Sequence, residues 1–147
     1  MKQSKSVPSL LFILIVALVN VASLAQSSNS FRARLSPMPV TPQTVSTITG
    51  EGEVFLTLSG NTLSIQGSFS GMSSVATSAH IHNGPPAQPG PVAHRLEVGS
   101  TTAGELSGEL ELTDQQVEAL HNNELYIQIH SETNPPGELR GWIFANN

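Results

Sequence analysis

Along most of this chain apolar side chains recur at every second position, in short runs broken by glycine, proline and asparagine. Val54, Leu56 and Leu58 alternate before Gly60-Asn61, and Leu63, Ile65 and Phe69 share one parity after it. That pattern predicts a hairpin of strands Glu51–Ser59 and Leu63–Phe69. Phe31-Arg32-Ala33-Arg34-Leu35 alternates apolar with charged and predicts a half-buried first strand, while the prolines of Ser36–Pro42 confine that segment to a loop or an edge. Further strands are predicted at Val75–His82, Val92–Val98, Glu105–Leu112, Glu124–His130 and Leu139–Phe144. Asn83–Pro91 and Ser131–Gly137 must be loops, because both are rich in proline and glycine. The period changes once. Thr113-Asp114-Gln115-Gln116 has the form of a capping box, with Leu112 and Val117 placed as a hydrophobic staple, and predicts a helix from Asp114 to Leu120 stopped by Asn122-Asn123. The sum is an all-β fold, a sandwich or barrel of about seven or eight strands with one short connecting helix.

Phase decides which side chains meet water. Val75 and Ile81 take the inward parity of their strand, so His80 and His82 point outward. Leu125, Ile127 and Ile129 face inward, which sets Tyr126, Gln128 and His130 outside. Glu138 and Arg140 are also assigned outward. Residues two apart on a strand leave the same face about 6.5–7 Å apart, close enough for two imidazoles to converge on one ion. If the two histidine strands are neighbours, His80, His82 and His130 form a candidate metal site; otherwise His80 and His82 are a pair on a solvated strand face. His94 shares a parity with Val92, Leu96 and Val98, and is either a fourth ligand or a packed side chain. Trp142 either belongs to the core or stands with Tyr126 on the outer face, as a wall of the histidine site or an aromatic patch for a partner. The carboxylates of Glu105–Glu111 read as a solvated face, and His121 as a surface residue near the helix end.

Met1–Ala25 reads as an export signal. Lys2 and Lys5 give a positive start, Leu10–Val19 an apolar centre too short to span a bilayer, and Ser23-Leu24-Ala25 a cleavage site before Gln26. Residues 26–30 are then a polar, disordered leader and residues 31–147 one domain of an exported protein, periplasmic or secreted, with no membrane association after cleavage. An uncleaved anchor is the alternative. There is no cysteine, so an exported fold here stands on packing without disulfides. Losing Lys2 and Lys5 takes the formal net charge from −5 to −7. Such a surface repels phosphate backbones and anionic lipid, which excludes nucleic acid as a partner. No phosphate-binding glycine loop and no serine or cysteine nucleophile motif is present.

Ala79-His80-Ile81-His82, the Gly/Pro loop behind it, Leu112-Thr113 with Gln115 and Leu120, Tyr126-x-x-x-His130, and Asn134-Pro-Pro-Gly137-Glu138-Leu139-Arg140-Gly141 together resemble the CHRD domain, over about Phe31 to Phe144. The resemblance implies an immunoglobulin-like Greek-key sandwich or barrel, distantly similar to copper/zinc superoxide dismutases. It implies copper on His80, His82 and His130, with Arg140 as an anion guide; three imidazoles suit zinc as well, and His94, the fourth-ligand candidate, is not part of the family pattern. Asn83–Ala93 holds no histidine or aspartate, so the dismutase zinc subsite has no ligands here. Two function classes follow. One is an exported metal-binding domain, whose enzymatic form would be copper-dependent superoxide dismutation, with Arg140 working against a net charge of −7. The other is a non-catalytic module binding an extracellular protein or polymer, its histidines hydrogen-bonded to the Glu138-x-Arg140 segment.

Overall fold

A computed structural model describes residues 29–146. The export signal and most of the leader lie outside the described residues. Eight strands form: β1 (Ser30–Pro37), β2 (Glu51–Ser59), β3 (Thr62–Ser70), β4 (Ala76–Asn83), β5 (Val92–Leu96), β6 (Gly104–Glu111), β7 (Leu125–Ser131) and β8 (Leu139–Ala145), with α1 (Asp114–His121) between β6 and β7. Every pairing is antiparallel, and the order across the sheet is β5-β4-β7-β8-β1-β2-β3-β6. The end strands β5 and β6 come into contact, so the sheet curls into a nearly closed barrel. Read around it, the β4–β5 hairpin is inserted between β6 and β7, which is a Greek-key connection. The expected all-β architecture is what the chain adopts.

Alternation places the core as expected. Phe31, Ala33 and Leu35 of β1, Val54, Leu56 and Leu58 of β2, Leu63, Ile65 and Phe69 of β3, and Leu125, Ile127 and Ile129 of β7 are all buried in one cluster. Each large side chain so buried contributes about 1.5–3 kcal/mol. The capping box forms: the Thr113 hydroxyl accepts from the Gln116 amide at 3.2 Å, and Gln116 Oε1 accepts from the Thr113 amide at 2.9 Å. Leu120 is fully buried, Val117 packs against the core, and His121 lies 5.4 Å from the Phe31 ring.

The phase expectation fails locally at the start of β4. A bulge between Ala76 and Ser78 shifts the register of β4 on β7, so that Ala76, not Val75, turns inward with Ala79 and Ile81. An extra residue reverses the parity of everything before it, and Thr77 supplies that residue. The histidines lie after the bulge and keep the outward phase.

Candidate metal centre

β4, β7 and β8 are consecutive in the sheet, and their register builds the site in rows. His80 pairs with Gln128, and Gln128 with Arg140. One row on, His82 pairs with Tyr126 and Tyr126 with Trp142; one row back, Ser78 pairs with His130. Neighbouring strands about 4.8 Å apart bring a diagonal neighbour within reach of a long side chain. The structure accordingly brings His80, His82 and His130 together, each offering one ring nitrogen, with the three nitrogens within 4.8 Å of one another. The ring centroids are 5.1 Å apart for His80 and His130, 5.8 Å for His80 and His82, and 6.3 Å for His82 and His130.

Backbone carbonyls from the two Pro-rich loops fix two tautomers. His82 Nδ1 lies 2.9 Å from the Gly90 carbonyl and His130 Nδ1 lies 2.8 Å from that of Pro135. A carbonyl only accepts, so both Nδ1 atoms carry the proton and each Nε2 keeps a free lone pair. His82 Nε2 is buried without a partner, and so is His80 Nδ1. His130 Nε2 has the Gln128 amide nitrogen at 3.4 Å, a long contact. Burial lowers the pKa of His80 below 6.5, helped by the charges His130, His82 and Arg95 would present. Burial also lowers that of His82; the Gly90 hydrogen bond opposes it, and His130 and Arg140 add to it. Both rings are held neutral, the form that binds a metal.

The surroundings are aromatic and cationic. Tyr126 stacks on His82, centroids 4.8 Å apart and planes 7° from parallel, and its hydroxyl meets Gly90. Trp142 sits 5.0 Å from Tyr126 and donates its indole N–H to the Gly84 carbonyl at 3.0 Å. Of its two alternatives Trp142 therefore takes the outer face, as a wall beside the site. Arg140 lies over Tyr126 at 5.0 Å and donates Nε–H to Gln128 Oε1 at 2.8 Å. Gln128 is the residue that sequence reasoning missed. Parity put it outside, but its task of linking Arg140, the Pro136 carbonyl and His130 depends on register.

Two assignments change. His94 is not brought to the cluster: it pairs with Ile81 on β4, on the inward side, and bonds Gln116 of α1 at 3.1 Å. Glu138, expected outside, is wholly buried. Its carboxylate accepts from the Ser73 amide at 2.6 Å, the Thr49 amide at 3.3 Å, Asn134 Nδ2 at 3.1 Å and the Ser131 hydroxyl. Gly137, at φ +133°, turns the chain immediately before it, so strand parity does not extend to residue 138. The histidines bond the loops at Gly90 and Pro135, not the Glu138-x-Arg140 segment.

Barrel and site together define a small all-β domain with a histidine triad on its outer wall. Residues 31–143 match the CHRD domain family, and the chain belongs to that family. This is an extracellular type of module, and no helix among the described residues is long and apolar enough to cross a membrane. No curated protein and no solved structure matches the chain.

Proposed function

We propose that this chain is an exported CHRD-domain protein that holds one copper ion on His80, His82 and His130. The observation that carries the reading is the pair of buried, unpartnered nitrogens, His80 Nδ1 and His82 Nε2. Leaving such atoms unpaired costs about 1–3 kcal/mol each, a cost that a bound cation removes. The donor set fits. Around an ion with bonds of about 2.0–2.1 Å, ligand nitrogens lie about 3.3–4 Å apart, so nitrogens already within 4.8 Å close by about an ångström. Three neutral imidazoles suit copper and zinc, and copper is favoured by the general affinity order of divalent metals. A strongly acidic chain works against capture of superoxide anion, so holding the metal, rather than dismutation, is the function we infer.

A second reading makes the domain a protein- or polymer-binding module whose histidines are structural. The bonds from His82 and His130 to the two Pro-rich loops favour it. The test separates the two. On the metal reading, elemental analysis of the exported protein finds about one copper per chain, and added copper raises Tm in the wild type but not in a His80→Ala/His130→Ala double variant. Copper should also quench Trp142, two ring contacts from His82, while zinc should not. An equal rise in Tm for wild type and variant leaves the structural reading. N-terminal sequencing tests export, with Gln26 expected as the first residue.

A further inference from the structure

The outer face that carries the histidines continues past β8 onto β1. Arg32 pairs with Phe144 and Ser36 with Arg140. The unbroken antiparallel register between those pairs sets Arg34 opposite Trp142. Over this face lies a cleft of about 520 Å³, whose lining includes Arg34, Met38, Pro39, Arg140, Trp142 and Phe144. Its chemistry is uneven. The walls are apolar and aromatic, while two of the four arginines in the whole chain open onto it.

Both guanidinium groups have bonding capacity left. Glu53, the register partner of Arg34, is ion-paired with Arg32, and the Arg34 side chain makes no hydrogen bond or ion pair among the described residues. Glu51 and Glu53 border Arg34 on its other side, away from the apolar walls. Arg140 uses Nε on Gln128 and its plane on Tyr126 and Trp142, which leaves its terminal nitrogens free to donate. Phe144 is 47% exposed at the rim, a large apolar ring without cover. On a chain of formal net charge −5, cations gathered beside exposed apolar surface select for a ligand with both properties.

We propose that this cleft binds an amphipathic carboxylate, an organic acid with an apolar body of about six to ten carbons, a size such clefts enclose. The body lies along Met38, Trp142 and Phe144. The carboxylate accepts from Arg34 and Arg140, whose planar forks match its two oxygens. The guanidinium groups discriminate against neutral molecules, and the apolar walls discriminate against small anions. Aliphatic and aromatic acids share this chemistry.

Trp142 is the only tryptophan and lines the cleft, so its fluorescence reads occupancy directly. The purified metal-free protein is titrated with octanoate, 3-phenylpropanoate, octanol and acetate. Octanoate or 3-phenylpropanoate is expected to saturate with a Kd of about a millimolar or below. The tighter of the two identifies the body as aliphatic or aromatic. Octanol and acetate should each bind at least about tenfold more weakly. Arg34→Gln should weaken the acid about threefold to tenfold while leaving octanol unchanged. Phe144→Ser should weaken both. Arg34 and Phe144 are exposed, so both variants should fold, and circular dichroism checks that. The His80→Ala/His130→Ala variant should retain acid binding, which separates this result from the fate of the metal reading. Octanol binding as tightly as octanoate, acetate matching octanoate, or an Arg34→Gln variant with unchanged affinity would each overturn the proposal.

Discussion

Glu138 shows how much one side chain can organise. Its carboxylate joins the loop before β2 through Thr49, the β3–β4 connection through Ser73, the end of β7 through Ser131 and the loop after it through Asn134. Burial alone would raise its pKa, but the bonds from Ser131, the Ser73 backbone and Asn134 outweigh burial and hold it below 4.5. Glu138→Gln puts an NH₂ where only acceptors are wanted, and should cost about 2–4 kcal/mol in urea unfolding. A loss below about 0.5 kcal/mol would show that the loops do not depend on it. Sequence parity could not find this residue, because alternation describes a pleated strand and Glu138 precedes one. His80, His82 and His130 were legible for the opposite reason: each sits within a regular stretch, where phase alone sets the face.

For the strands, legibility stopped at pairing. Boundaries, the hairpin of β2 and β3 and the capped helix could be read along the chain, since turn residues and capping pairs are local. That β4 lies beside β7, and β7 beside β8, is a property of the Greek-key order, and this adjacency made a cluster of separate histidines and gave Gln128 its role. His94 was left undecided because its face depends on how β5 meets α1. The close approach of β8 to β1 is equally non-local. A Cβ on Gly141 would lie 2.3 Å from the Arg34 carbonyl oxygen and 3.1 Å from Leu35 Cδ2, so only glycine lets β8 close onto β1. Gly141→Ala should lower stability by about 1–3 kcal/mol, read as a fall in the urea midpoint. By displacing Arg140 and Trp142 it should also weaken copper binding, measured by titration. Unchanged stability would mean that the two strands have slack.

Acid should take the whole molecule apart in two stages. The pKa values of His80 and His82 are lower in the fold than the ordinary 6.5, so below that pH the unfolded chain binds more protons than the native one. Their contribution is complete above pH 6.5 and is lost as pH falls from there toward the folded values. Glu138 has the same sign lower down: its contribution holds above 4.5 and is lost as pH drops toward its depressed pKa. Urea melts at pH 7.5, 5.5 and 4 should show falling midpoints, and His80→Gln should shrink the first step alone. A wild-type midpoint that is flat from pH 7.5 to 5.5 would contradict the neutral-imidazole site. Copper should steepen the first step, since protons and metal compete for the same nitrogens. The contact between β5 and β6 bears on how this barrel opens. β5 is five residues long and hydrogen-bonded to β4 alone, so one side of it has no ladder. With no covalent staple across that join, hydrogen–deuterium exchange should be quickest in β5 and β6 and slowest in β7 and β8, which are paired on both sides. The barrel would then breathe at its join, next to β4, while the ladders of β4, β7 and β8 that carry the histidines stay paired, and the histidines would keep their arrangement through motions that loosen β5 and β6.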